Sequence, residues 1–290
     1  MRKIKAKFGE ERTWIYICLL ITQNRMKTVD LNINKNVRFI LFPDNQPHVI
    51  VEGIEGGDKT EVICSITDSL KMMHLLQTAN ALDHLQAKKK RLIIPYLMAA
   101  RYDRLMQHGD SFDLEVIAGL INSCGFEEVL LFDAHSAISL QLIHNAININ
   151  NKQLVDQYVK PDAVVICPDA GASKKVTEYL NWNMNLKDIV YCNKKRELST
   201  GSLTLEVTDP QKCEKKNCVI IDDICDGGAT FLAIAEQVKP KHLTLIVSHG
   251  IFSKGFAMLE KKFNEIIVSD SYGKTYNSPV VKMIKARICD

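Results

Sequence analysis

Three absences narrow what this 290-residue sequence can be. It lacks a charge excess: 37 Lys and Arg face 34 Asp and Glu, a net of +3, so no global field draws it to nucleic acid or to an anionic membrane. Any recognition of an anion must therefore be built locally. It lacks a cysteine framework: its nine cysteines are scattered without a CxxC pair, and Cys64, Cys167 and Cys218 fall inside apolar, strand-like runs. That usage suits a reducing compartment, and a cytoplasmic protein, of a cell or of an infected host cell, is expected. It also lacks an apolar run near the roughly 20 residues a spanning helix needs. The nearest approach, WIYICLLI at 14–21, follows a basic start and precedes no small-residue cleavage site. Residues 1–25 read as an apolar N-terminal extension, with Met26 as a second candidate start. No repeat of fixed period and no low-complexity tract occurs.

What is present is alternation. At 46% hydrophobic, the chain is long enough for two domains with separate cores. Strand candidates are VRFILF (37–42), HVIVEG (48–53), EVICSI (61–66), RLIIPY (91–96), EVLLFD (128–133), AVVICP (163–168), DIVYCN (188–193), CVIID (218–222), HLTLIVS (242–248) and EIIVSD (265–270). Several are apolar throughout, as strands buried on both faces of a parallel sheet are. Helix-length stretches at 68–87, 111–124, 136–147, 172–182, 229–238 and 254–263 separate them. The order predicts an α/β fold with right-handed crossovers. The polar run KQLVDQYVKPD at 152–162 marks the boundary, giving domains at 26–155 and 156–290, the last residues free to pack back on the first domain. The lysine run at 88–90 reads as a solvated helix end.

In parallel sheets, ligands bind beyond the carboxyl ends of the strands, and the unusual residues fall there four times. EVLLFDAHS sets Asp133 and His135 past one strand, and AVVICPDAGAS sets Asp169 past another. DIVYCNKKR sets Lys194 and Arg196 past a third, and CVIIDDICDGGAT sets Asp222, Asp223 and Asp226 past a fourth. The amides of Gly227, Gly228 and Ala229, opening a helix with Thr230, can form an anion-binding nest. The adjacent acids suit sugar hydroxyls or a hydrated magnesium ion; an acidic N-cap in a tight turn is the plainer alternative. His135 suits a metal or a phosphate, and the Lys194–Arg196 cations suit a phosphate-transfer site or a solvated turn.

The ordered set FPDNQPHVIV, IPYLMAARYDR, LLFDAHS, CPDAGASKK, NKKR, VIIDDICDGGAT and SHGIFS resembles the ribose-phosphate pyrophosphokinases, or phosphoribosyl pyrophosphate synthetases, from about Val37 to Ser269. The resemblance implies two similar phosphoribosyltransferase-like domains, each a mainly parallel sheet flanked by helices. It implies Mg2+-dependent transfer of diphosphate from ATP to the anomeric hydroxyl of ribose 5-phosphate, giving phosphoribosyl pyrophosphate and AMP. By position, Arg101, Tyr102 and Asp103 are expected at ATP, with Phe42, Asp44 and Gln46 reaching adenine from a neighbouring subunit. His135 and Asp169 are expected at magnesium, Lys194, Arg196 and His135 at the transferring phosphates, and residues 222–230 at the ribose and its 5-phosphate. A homo-oligomer, dimer or hexamer, follows from a site shared between subunits; a non-catalytic regulatory subunit is a further, lesser reading.

The departures from the family pattern carry information. Gly227 stands where a threonine is usual, Tyr102 replaces a glutamine, Gln46 replaces a glutamate, and the loop at 105–111 reads LMQHGDS instead of a basic segment. Loss of the hydroxyl weakens the hold on a phosphate monoester and is expected to open space beyond it. ADP-ribose, whose 5-phosphate is esterified and whose anomeric hydroxyl is the same, is the alternative acceptor, its 1-pyrophosphate serving NAD synthesis; phage-type members of the family are similar to that description.

Overall fold

The computed structural model describes residues 26–179, 189–196 and 203–286, and the N-terminal extension lies outside them. Two sheets organise the chain. The first is wholly parallel, in the order β1 (Lys27–Asp30), β4 (Lys59–Ile63), β5 (Lys88–Ile94), β6 (Glu128–Phe132), β7 (Ala146–Ile149). The antiparallel hairpin of β2 (Val37–Leu41) and β3 (Pro47–Val51) stands apart as its own ribbon.

Helix α1 (Ser69–His84) explains how the first core closes. The Asp68 carboxylate accepts the Lys71 amide at 3.0 Å and caps the helix, while Met72, Leu75, Ala79 and Leu82 recur at helical spacing and are buried. They meet Val62, Leu92, Ile94, Val129 and Leu131 from the sheet and Leu114, Ile117 and Ile121 from α2 (Asp113–Ser123). Toward its amino end the opposite face carries charge, where Arg91 bridges Glu128 at 2.6 Å and Glu61 at 3.4 Å across three strands, while Ile93 and Leu130 further along that face are buried. The 88–90 lysines are strand residues, not a helix end, because β5 extends back to pair with β4, with Lys89 held to Asp83 at 2.7 Å.

The second sheet runs β10 (Leu203–Val207), β9 (Ile189–Arg196), β8 (Val164–Cys167), β11 (Asn217–Cys225), β12 (His242–Gly250), β13 (Glu265–Ser269), β14 (Val281–Ile284), parallel apart from the β10–β9 pair. Its central strands are covered on both faces. Ile166, Ile220 and Leu245 feed one core and Val165, Ile221 and Ile246 the other, which is why these runs are continuously apolar. Helices α4 (Lys152–Tyr158), α5 (Ala170–Tyr179) and α6 (Ala229–Ala235) belong to this half, and the short α3 (Ala137–Leu142) to the first.

Three further expectations change, and the boundary run has structure of its own. The 136–147 stretch is helical only over Ala137–Leu142, and Ala146–Ile149 turns into β7. The polar 152–162 run holds a helix at its start. Residues 254–263 form separate turns instead of a helix: Gly255 sits at φ +70°, and Phe252, Leu259 and Phe263 are anchored individually in the core. Asp222 and Asp223 lie inside β11, not beyond it, because Ile224 and Cys225 still pair with His249 and Gly250. Among the described residues no helix is long and apolar enough to cross a membrane.

Candidate active site between the two sheets

The carboxyl ends of the two sheets face each other, and the sequence motifs meet across that junction. Past β6, Asp133 adopts φ +44° and starts the turn that delivers His135. His135 Nδ1 lies 2.6 Å from Asp223 Oδ2 on β11, so Nε2 is the ring nitrogen left for a ligand. From the loop after β5, Arg101 Nη2 reaches Asp226 Oδ2 at 2.9 Å. Residues from the ATP and metal sets of the first half thus touch acids of the sugar set in the second. Apolar contacts back this up: Tyr96 packs edge-on against His249 at 5.3 Å and Tyr272 at 4.7 Å between ring centroids.

Lys175, on α5, lies in CPDAGASKK, where no sequence signal marks a role for it. Its Nζ stands 3.0 Å from Asp223 Oδ2 and 3.5 Å from Asp133 Oδ1. The Ser248 hydroxyl donates to Asp133 Oδ2, and Asn151 Nδ2 donates to that hydroxyl at 2.6 Å. Ser248 and His249 fall in SHGIFS, which was legible as a motif but not as a set of contacts.

The electrostatics split two adjacent acids. Burial works to raise the Asp223 pKa, but the hydrogen bond from His135 and the charge of Lys175 outweigh it and hold the carboxyl far below the usual range. Asp222 goes the other way, raised well above the ordinary value by burial and by the charges of Asp223 and Asp169. Asp226 is lowered by a hydrogen bond from Ser253 and, after the opposing effect of burial, by Arg101.

Asp169 follows β8 as expected, and its Oδ1 accepts the Ala172 amide at 2.9 Å at the start of α5. Among the described residues no three His, Cys, Asp or Glu side chains are grouped to hold a metal ion unaided. The oxygen-rich neighbourhood of Asp169, Asp222 and Asp223, where Asp222 is driven toward its protonated form, is nevertheless one that a magnesium ion would relieve. Such an ion commonly takes one or two carboxylates and completes its shell with water and substrate phosphate oxygens.

In the loop, Gly228 takes φ +78° with Leu259 Cδ2 3.1 Å from where a Cβ would stand, so glycine is needed there. Ala229 and Thr230 open α6. The space beside Gly227 is not open: Lys254 Cδ and Cε lie 3.3 and 3.4 Å from its Cβ position, so a flexible cationic side chain fills what the missing threonine vacates.

The remaining site residues are dispersed. Phe42, Asp44 and Gln46 form the exposed tip of the β2–β3 hairpin, closed by Asp44 Oδ1 accepting the Gln46 amide at 3.2 Å. The hairpin leans on α1, where Gln77 Nε2 donates to Pro47 O at 2.7 Å. Tyr102 is exposed, and Asp103 is engaged by Arg104 at 3.1 Å. Lys194 and Arg196 lie within β9, not past it, because the strand runs on to pair antiparallel with β10; their side chains are outside the described set.

No family model matches the chain. It is 26% identical over 243 residues to a ribose-phosphate pyrophosphokinase of Thermococcus kodakarensis, covering 79% of this chain and 83% of the relative. It is 26% identical over 249 residues to the enzyme of that name from Pyrococcus abyssi, covering 81% and 84%. A solved structure of phosphoribosylpyrophosphate synthetase from Mycobacterium smegmatis superposes with a TM-score of 0.73 over 86% of this chain and 85% of its own, at 18% identity, a likeness of fold.

Proposed function

We propose that this chain, similar to the ribose-phosphate pyrophosphokinases over about four-fifths of its length, transfers diphosphate from MgATP to the anomeric 1-hydroxyl of ribose 5-phosphate. The observation that carries this is the contact of Arg101 with Asp226 and of His135 with Asp223, which joins a nucleotide-side cation and a phosphate-side histidine to sugar-side acids. In this reading the sugar O1 forms a bond to the β-phosphorus of ATP and its proton is released to solvent. The bond from that phosphorus to the oxygen bridging to the α-phosphate breaks, and AMP leaves with the oxygen.

Each residue then has a task. Asp222 and Asp223 accept hydrogen bonds from ribose hydroxyls, and the 226–230 loop receives the 5-phosphate. Arg101 holds ATP with Tyr102 and Asp103, while Lys194 and Arg196 neutralise charge on the moving diphosphate. Bound magnesium supplies charge neutralisation on the phosphate oxygens, with His135 and Asp169 as the residues that would hold it. Positioning and preformed charge account for most of such catalysis, so no strong covalent chemistry is asked of the protein.

Gly227 favours a second reading, the same transfer to ADP-ribose. A threonine hydroxyl suits a terminal phosphate, and its absence at Gly227 favours an esterified one, although the flexible Lys254 side chain packed there would have to move aside for the ester to continue. Release of AMP from MgATP, measured with each acceptor in turn, tests both. Efficient turnover of ADP-ribose beside poor turnover of ribose 5-phosphate replaces the first reading by the second; AMP release with neither removes both and leaves the regulatory-subunit reading.

A further inference from the structure

We propose that Lys175 is a positioning residue for the transfer: paired at once with Asp133 of the first half and Asp223 of the second, it holds the carboxyl ends of the two sheets at the separation the reaction needs. The inference rests on the diphosphokinase reading and goes beyond it, since it concerns how the two half-sites are held in register.

The three residues come from three elements. Asp133 follows β6, Asp223 lies in β11, and Lys175 sits in α5, so the cluster spans both halves. Asp133 and Asp223 are 1% and 4% exposed. Two carboxylates buried this deeply repel one another and lose hydration, a cost that a cation within reach of both offsets directly. Lys175 Nζ, 3.0 Å from one and 3.5 Å from the other, provides it, and burial of the ammonium is outweighed by the two acids, so that its pKa is raised.

Other groups share these carboxylates. Asp223 Oδ2 also takes His135 Nδ1 at 2.6 Å, which fixes the ring, and Asp133 Oδ2 takes the Ser248 hydroxyl, itself held by Asn151 at 2.6 Å. Lys175 therefore acts on the reacting region through Asp223 and His135 without touching substrate. A compact ammonium on a flexible stem can satisfy two carboxylates converging from different sheets, a geometry a planar guanidinium reproduces only partly.

The alternative is a lysine that only neutralises buried charge. In the positioning account, Lys175→Met lowers kcat about 100-fold, the penalty of a displacement near 1 Å, while KM for ATP stays within about threefold. Lys175→Arg recovers at least tenfold of that loss. Removing the repulsion with Asp133→Asn in the Lys175→Met background restores the melting temperature but leaves kcat low. Recovery of kcat together with melting temperature in the double variant overturns the proposal, as does a Lys175→Met enzyme within threefold of wild-type kcat.

If Lys175→Met does not fold, the double variant and Lys175→Arg carry the same comparison. Turnover by the wild-type protein tests the diphosphokinase reading on its own. Should that fail, hydrogen exchange still tests the clamp: Lys175→Met is expected to lose protection at 133–142 and 222–229 together, and loss at only one of the two counts against it.

Discussion

Arg101 Nη2 and Asp226 Oδ2 lie 2.9 Å apart although 125 residues separate them in the chain, a pairing that joins the loop after β5 to the loop after β11. Both side chains are substantially exposed, at 44% and 35%, so solvent screens the pair and its contribution to stability is about 0.2–1 kcal/mol. A guanidinium kept so near solvent for so little stability is better explained by the charge it offers to a phosphate. Arg101→Ala should therefore leave the melting temperature nearly unchanged while lowering AMP release about 10²–10³-fold, the range for loss of one preorganised group at a transition state. A variant that unfolds but stays active once refolded would reverse the assignment.

Much of this arrangement could be read from the residues because burial on both faces leaves an unmistakable mark. Val219, Ile220 and Ile221 are apolar since two cores claim alternate positions of one strand, and that run locates β11 and the acids on it. Strand limits were less legible. Asp222 and Asp223 look like loop residues by composition, yet pairing of Ile224 and Cys225 with β12 carries the strand beneath them. Lys175 was hidden for a related reason: a lysine on a polar helix has no local signature of burial, and its partners stand 42 and 48 positions away. The space expected beside Gly227 was misjudged because Lys254, from a distant turn, occupies it.

Asp222 gives a prediction about pH. Its pKa is raised in the folded protein by burial and by the charges of Asp223 and Asp169, so folding favours its protonated form. Its contribution to stability is thus fully present below the unfolded carboxylate pKa and is lost as pH rises toward the folded value. Asp222→Asn removes that loss. The variant should melt higher than wild type at pH 8, with the difference shrinking toward pH 4, and should release AMP at least tenfold more slowly because a neutral amide, with one acceptor oxygen in place of two, holds the sugar hydroxyls less well. Equal melting curves across this range would mean that Asp222 is ionised without cost. Asp223 carries the opposite sign: its lowered pKa stabilises above the unfolded value and the benefit disappears on acidification, so Asp223→Asn should destabilise at pH 7 and matter less at pH 3.

The acceptor can be separated at Gly227 and Lys254. Lys254 methylenes lie 3.3–3.5 Å from the Gly227 Cβ position, so Gly227→Thr must displace a flexible side chain but no backbone. The substitution should fold and should lower KM for ribose 5-phosphate severalfold, because a hydroxyl returns to a terminal phosphate. Lys254→Ala, by contrast, should raise KM for whichever acceptor the wild-type protein prefers, by about tenfold, the loss of one charge-assisted contact of roughly 1.5 kcal/mol. If Gly227→Thr raises KM for ribose 5-phosphate and leaves ADP-ribose untouched, the loop does not hold the 5-phosphate.

The hairpin tip bears on assembly. Phe42 and Leu41 are 46% and 63% exposed, and beside them a groove of about 660 Å³ opens between β3 and α1, lined by His48, Ile50, Leu76, Asn80 and His84. A two-stranded ribbon that presents a large aromatic ring to solvent is suited to serve a neighbouring subunit, as expected for Phe42, Asp44 and Gln46 at adenine. Phe42→Ala should retain the fold and lose most activity at low ATP, and Lys194→Ala should lose activity at any ATP concentration. Mixed after dissociation and reassembly, the two inactive proteins should regain up to roughly a quarter of wild-type turnover, since in a random dimer population half the dimers are mixed and each has one complete site. Activity that never exceeds the sum of the separate variants would show that the hairpin serves its own chain.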